Sequence, residues 1–285
     1  MSSAQVLRVS GPTAAVALGE DVREARILPR LPGRPLAVGD LVDIRTSDAD
    51  ITITGIRPRR TSLERAAGQD GPRRLIVANA DVLLVVESLT RPDPRPHLID
   101  RYLVAARVGG MDGAVVLTKA DLALDPAAVD ALREVYETIG YPVFVGSAKD
   151  PAFVEALRGF VDGRLAALVG QSGVGKSTLT NGLTGGDRTV GEVSDRDGTG
   201  RHTTSDPRLI PLPGGGAVVD TAGVRSLFLP PLDAEDAADA FPEVRAILGE
   251  CRFRDCRHLG DTGCALPGQI AETRYESYKW FVENP

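Results

Sequence analysis

The sequence predicts a multidomain α/β chain: a small N-terminal β-barrel, a central parallel-sheet domain built around a phosphate loop, and a small helical C-terminal segment that binds metal. Three observations carry that expectation. The first 68 residues hold short apolar runs cut by Gly, Pro and Asp at roughly ten-residue spacing. From Leu75 the pattern changes to strands alternating with helices, and G-x-x-x-x-G-K-S stands at one strand-to-helix junction. All three cysteines and one histidine then fall within 14 residues near the C-terminal end.

In the N-terminal part, strands are expected at 5–9, 13–18, 25–28, 41–44 and 51–56. Five such strands fit an oligonucleotide/oligosaccharide-binding (OB) barrel, though periodicity does not separate it from other small barrels. The segment RPRRTSLERAAGQDGPRR reads as a linker. It carries Arg57, Arg59, Arg60, Arg65, Arg73 and Arg74 against Glu64 and Asp70. Two readings stand side by side: a solvated linker, or a contact strip for phosphate.

In the central part, strands are expected at 82–86, 113–117, 142–145 and 165–169, with helices at 97–108, 127–139 and 151–160. A hairpin follows, 208–212 and 217–219, turned by Pro213, Gly214, Gly215 and Gly216. Beyond it come an acidic helix at 233–240, the cysteine cluster, and a last helix-like stretch with Tyr275, Tyr278, Trp280 and Phe281.

Composition bounds what these parts do. The chain has 285 residues, a net charge of −6 and a pI near 5.2. That balance argues against wholesale non-specific nucleic-acid binding. No run of eighteen apolar residues marks a membrane span, and MSSAQVLRVSG lacks the form of a secretory signal. A cytoplasmic monomer is the expectation.

The phosphate loop runs Gly170, Gln171, Ser172, Gly173, Val174, Gly175, Lys176, Ser177, Thr178. Its glycines let backbone N–H groups turn toward phosphate oxygens, and the following helix adds the partial positive charge of its N-terminus. Lys176 is expected on the β- and γ-phosphates and Ser177 on Mg²⁺. The loop announces a nucleotide without naming the base.

Base choice is expected from Thr118, Lys119, Ala120 and Asp121, at the end of the strand AVVL. The Asp121 carboxylate accepts from guanine N1–H and its exocyclic amine together, a pair that adenine lacks, while the Lys119 stem lies along the base. Ser147, Ala148 and Lys149 follow the next strand and offer backbone N–H groups to guanine O6. A P-loop ATPase or kinase is disfavoured by these two segments together.

Asp220, Thr221, Ala222 and Gly223 close the hairpin strand. Asp220 is expected on Mg²⁺ through water, and the Gly223 amide on the γ-phosphate. Upstream, Gly200, Arg201, His202, Thr203 and Thr204 form a polar switch candidate, with Thr204, or in second place Thr203, closing over Mg²⁺ and the γ-phosphate. Ras-like enzymes follow D-x-x-G with a water-positioning glutamine, where this chain has Val224. A valine orients no water, so His202 is the candidate for that role, against the reading of a surface histidine in a loop.

Cys251, Cys256, His258 and Cys264 are spaced C-x4-C-x-H-x5-C. Three thiolates and an imidazole complete the tetrahedral shell of structural zinc, leaving no open position for catalysis. Redox sensing is the lesser alternative. Arg252, Arg254 and Arg257 lie between the ligands, and His97 reads as a surface residue at a helix start.

The motif order is TKAD, SAK, phosphate loop, threonine switch, DTAG. Rotating that list restores the usual order of a P-loop GTPase, so the simplest account is a circularly permuted domain. The permutation runs the second switch directly into the cysteine region, so that a γ-phosphate-dependent movement would pull on it. On ANADVLLVVES, LIDRYLVAARVGG, VLTKADL, GQSGVGKSTLTN, GRHTTSDPRLIPLPGGGAVVDTAG and CRFRDCRHLGDTGCA, the chain resembles the circularly permuted RsgA (YjeQ) family of small ribosomal subunit maturation. Thr118 departs from the family's frequent Asn, and Ala222 from its frequent Pro.

The resemblance implies an N-terminal OB-fold RNA-binding domain (1–68), a central circularly permuted P-loop GTPase domain (69–229) and a small C-terminal α-helical zinc-binding domain (230–285). It further implies GTP hydrolysis stimulated by the small ribosomal subunit, with rRNA and ribosomal proteins as partners. A GTP-regulated binding module for another partner is the competing reading.

Overall fold

The first 56 residues close into a barrel. In the computed structural model, which describes residues 2–31, 35–47, 50–66, 73–186, 207–221, 229, 232–254 and 256–284, its strands are β1 (Ser2–Ser10), β2 (Thr13–Leu18), β3 (Asp21–Ile27), β4 (Leu41–Thr46) and β5 (Ile51–Ile56). They join in the order β1-β2-β3-β5-β4, with β1 antiparallel to β4 and β3 parallel to β5. This strand connection answers what periodicity left open: the barrel is OB-like. Alternate residues Val6, Val16, Ala25, Val42, Ile44 and Ile53 fill it.

The segment read as a linker is structured at both ends. β6 (Ser62–Ala66) and β7 (Arg73–Ala78) pair antiparallel as a separate two-stranded sheet. Leu63 and Val77 are buried in the core beneath it. Glu64 and Arg65, directly after Leu63, hide that buried position in the sequence.

The phosphate-strip alternative loses half of its arginines to ion pairs. Arg59 makes a two-armed contact with the fully buried Asp40, at 2.6 and 2.8 Å. Arg57 pairs with Asp43 at 2.9 Å and Arg60 with Asp81 at 2.9 Å. Asn79, in a left-handed conformation with φ 59°, donates to the Gly39 carbonyl at 3.0 Å and accepts from the Arg60 amide at 2.9 Å. It thereby clasps the barrel to the domain that follows.

That domain is a six-stranded sheet of β8 (Val82–Ser88), β9 (Asp112–Thr118), β10 (Val143–Val145), β11 (Leu165–Val169), β12 (Arg208–Pro211) and β13 (Ala217–Asp220). The order is β10-β9-β8-β11-β13-β12, parallel except for the edge strand β12. Central β8 is buried at every position, as a parallel strand covered on both faces must be. One face packs Leu83, Val85, Val115 and Leu117 under α1 (Pro96–Val108) and α2 (Pro126–Glu137). The other packs Val82, Leu84, Val86 and Val116 under α3 (Pro151–Val161) and α4 (Lys176–Leu183). Proline opens α1, α2 and α3, where its missing N–H costs nothing, and Asp125 and Asp150 cap the latter two.

The C-terminal helices are α5 (Ala234–Ala240), α6 (Pro242–Ile247) and α7 (Glu272–Glu283). Phe241, Val244, Leu266, Tyr278 and Phe281 form their core, and Val104 of α1 is part of it. A buried polar seam fastens the same two parts. Asp100 of α1 accepts from Arg274 at 2.7 Å, Ser277 at 2.5 Å and Tyr136 at 3.0 Å. Arg274 also grips Glu243 at 2.6 and 3.2 Å and lies over the Phe241 ring at 4.4 Å. His97 is exposed, as the sequence reading has it, but it is held: its Nδ1 stands 2.7 Å from the Ser277 hydroxyl.

Candidate active site and metal centre

The ends of β8, β9, β10, β11 and β13 converge on one edge of the sheet, where an open α/β fold gathers its ligand-binding loops. β11 runs into Gly170, and an added Cβ there would collide with the Val86 carbonyl oxygen. Gly175 has φ 100° and opens α4, whose first turn carries no side-chain cap. These two glycines shape a loop that curls back on its own strand and ends at bare helix N–H groups. Gln171 is half-buried, Ser172 and Gly173 are exposed, and Val174 is buried against the α3–α4 core. Ser177 and Thr178 are exposed on the first turn of α4.

Lys176 donates to the Gly170 and Gln171 carbonyls at 2.7 and 2.6 Å. Burial lowers its pKa, opposed by the negative charges of Asp220 and Glu87. An ammonium held by loop carbonyls can exchange them for phosphate oxygens in the same cradle. Asp220 ends β13 opposite Leu168 of β11. Thr221 is buried and donates its hydroxyl to the Leu168 carbonyl.

The base-reading segments lie beside the loop. Thr118 is fully buried, and its hydroxyl donates to the Val174 carbonyl at 2.5 Å and to the Glu87 carbonyl at 3.3 Å. One hydroxyl therefore joins TKAD, the phosphate loop and the end of β8. Lys119 is left-handed (φ 58°), and its ammonium donates to the Arg91 carbonyl at 2.5 Å. The Ala120 amide donates to the Gly146 carbonyl at 3.1 Å, fixing TKAD against the segment that carries Ser147, Ala148 and Lys149. Asp121 is exposed on the short turn Ala120–Leu122. His202, Thr204, Ala222, Gly223 and Val224 lie outside the described residues.

Sequence reasoning missed Glu87. It is fully buried beneath the phosphate loop and accepts from the Gln171 side-chain amide at 3.1 Å. The only signal was an acidic residue inside VLLVVES, which otherwise reads as a wholly buried strand.

Near the C-terminal end of the chain, the ligand atoms of Cys251, Cys256, His258 and Cys264 all lie within 4.8 Å of one another. His258 is left-handed (φ 62°) and brings Nδ1 to 3.3 Å from the Cys251 sulfur. The Ala265 amide donates to that same sulfur at 3.3 Å. Burial, with the thiols of Cys251 and Cys264 beside it, pushes Cys256 up to about 12. Three sulfurs and one imidazole nitrogen gathered this closely make a donor set that fits a divalent metal.

The model of the RsgA GTPase family matches residues 56–230. The chain belongs to the RsgA GTPase family. A "Small ribosomal subunit biogenesis GTPase RsgA" from Pseudomonas aeruginosa is 42% identical over 258 residues, covering 87% of this chain and 76% of that one. A protein of the same name from Gemmatimonas aurantiaca is 44% identical over 255 residues, covering 85% and 82%. Among solved structures, YloQ, titled a circularly permuted GTPase, superposes with a TM-score of 0.76 at 25% identity, over 99% of this chain and 94% of that one. YjeQ from Thermotoga maritima gives 0.75 at 27%, over 99% and 97%. The permuted order read from the motifs is thus the order of the family, and this chain is a GTPase of it.

Proposed function

We propose that the chain couples GTP hydrolysis to maturation of the small ribosomal subunit, acting as a cytoplasmic monomer divided at 1–68, 69–229 and 230–285. The observation that carries the nucleotide reading is the Thr118 hydroxyl. It joins the base-reading strand end to the phosphate loop, so one guanine nucleotide spans both. The names of the relatives support the ribosomal reading.

In this reading the backbone of the loop from Gly170 to Thr178 cradles the phosphates. Lys176 leaves its two carbonyls for the β- and γ-phosphate oxygens, neutralising charge as the bond to the γ-phosphorus loosens. Ser177, Asp220 and Thr204 are the residues that would hold Mg²⁺, which would supply positive charge to the phosphates. Thr118, Lys119, Ala120 and Asp121 take the base edge and face, with Ser147, Ala148 and Lys149 supplying N–H groups to O6. The Gly223 amide meets the γ-phosphate, and His202 positions water in place of the glutamine that Val224 replaces. Cys251, Cys256, His258 and Cys264 hold one structural zinc, and the barrel and zinc segment contact rRNA and ribosomal protein.

The test is GTP turnover by the purified protein with small ribosomal subunits, with large subunits, and alone. Stimulation specific to small subunits is expected. Intact GTP binding with no stimulation refutes the ribosomal partner and leaves the nucleotide site standing.

A further inference from the structure

Glu87 stands at the end of β8, directly under the loop that Gly170 begins. None of its surface is accessible. Its Oε1 accepts from the Gln171 amide at 3.1 Å, while Oε2 is buried without a hydrogen-bond partner. Burying one unpartnered oxygen of a carboxyl is far cheaper for the neutral acid than for the carboxylate. Burial accordingly pushes Glu87 up to about 7, against the opposing pull of the Gln171 hydrogen bond, Arg95, Lys176 and the backbone N–H of Ser88. The first three face it from the phosphate loop, the segment ahead of α1 and the start of α4. From α1 itself comes Tyr102, whose buried hydroxyl also lacks a partner; burial and then the Glu87 charge push it up to about 12. From β9 comes Thr118, an uncharged donor to the Glu87 carbonyl.

Gln171 is the lever. Its side chain reaches down to Glu87, and its backbone carbonyl holds the Lys176 ammonium at 2.6 Å. A charged Glu87 attracts that ammonium downward and places a negative charge below the site where anionic phosphates arrive. A neutral Glu87 keeps the Gln171 hydrogen bond and removes the repulsion. We propose that Glu87 is a positioning residue of the nucleotide site, bracing the phosphate loop through Gln171 and taking up a proton as the phosphates enter. The proposal rests on the placement of nucleotide phosphates at this loop argued above.

By linkage, a carboxyl that gains a proton on binding weakens affinity as pH rises past its titration, by at most about tenfold per pH unit. The experiment titrates Mg·GDP into the full chain at about pH 7 in two buffers of different ionisation enthalpy, which counts protons, and follows affinity between about pH 6 and pH 8. Wild type takes up protons and binds about threefold or more weaker at the upper pH. Glu87→Gln keeps an acceptor for Gln171, lacks that uptake and shows a correspondingly flatter profile. Gln171→Met keeps the carboxyl but removes its donor, so the fall in affinity moves to higher pH.

Equal proton counts and parallel profiles in wild type and Glu87→Gln overturn the proposal while leaving the nucleotide site intact. If Glu87→Gln does not fold, an unmoved profile in Gln171→Met overturns it equally. Absence of any GDP binding by wild type would instead strike the site itself, and the proposal with it.

Discussion

Arg274→Met removes the guanidinium that joins the C-terminal helices to α1. Arg274 is 1% exposed and its partner Asp100 is fully buried. The substitution fills most of the same volume, yet it leaves the Asp100 carboxylate with only the Ser277 and Tyr136 hydroxyls, and strips Glu243 of its partner. Breaking one side of a buried pair costs about 3–5 kcal/mol, because the remaining charge stays desolvated. With a urea slope of about 2 kcal/mol per molar, the midpoint falls by about 1.5–2.5 M.

Trp280 is the only tryptophan. It lies on α7 with the Arg101 guanidinium of α1 5.6 Å from its ring, so its fluorescence reports the joint rather than the barrel. Arg274→Lys keeps the charge and loses the planar fork, and lies between the two. A Trp280 transition displaced by less than about 0.5 M urea in Arg274→Met refutes the reasoning, since the seam would then be solvated or redundant.

Thr118→Val keeps the shape but leaves the Val174 carbonyl without its donor, costing about 1–3 kcal/mol; GDP binding is expected to weaken tenfold or more, and an unchanged dissociation rate counts against the bracing role. Asp121→Asn transfers preference from guanine to xanthine nucleotides, and a variant that still prefers GDP removes Asp121 from base choice. Chelation is expected to release one zinc per chain and to change Trp280 fluorescence while GDP binding persists; a chain that holds no stoichiometric metal sinks the Cys/His assignment. Glu87→Gln gains about 3 kcal/mol over wild type at pH 8: a carboxyl raised from 4.5 to about 7 by folding loses stability as pH rises through that window, and the gain shrinks toward pH 4.5. Equal unfolding midpoints at pH 8 would show that Glu87 is not desolvated.

The elements legible in the sequence were those whose physics is local. The barrel strands, the alternating β/α units and the phosphate loop announce themselves by period and by glycine. Leu165–Val169 was read with both ends in place. What stayed hidden depends on partners distant in the chain. The pairing of β6 with β7 needed the sheet to show why Leu63 is buried. Asp100 and Arg274, 174 residues apart, gave no sign of meeting. His97 read as an isolated surface residue because its partner, Ser277, stands 180 positions on. Thr118 looked like a departure from the family's asparagine, whereas one hydroxyl spans to the phosphate loop.

The permuted connection also changes meaning once the seam is seen. From the order of motifs, the second switch leads by chain alone into the cysteine region, so a movement on γ-phosphate loss would pull that region directly. The structure adds a second attachment, through α1, which begins after β8 and Glu87. The C-terminal helices are therefore held covalently after Asp220 and also on α1, where Asp100 meets Arg274 beside the Val104, His97 and Arg101 contacts. A pull at the first attachment would be borne by this buried seam on α1. On this view Arg274→Met uncouples the Cys/His segment from the nucleotide state without touching the phosphate loop. Subunit-stimulated turnover would then fall while GDP affinity holds, and a variant that loses stability but keeps full stimulation would place the coupling elsewhere.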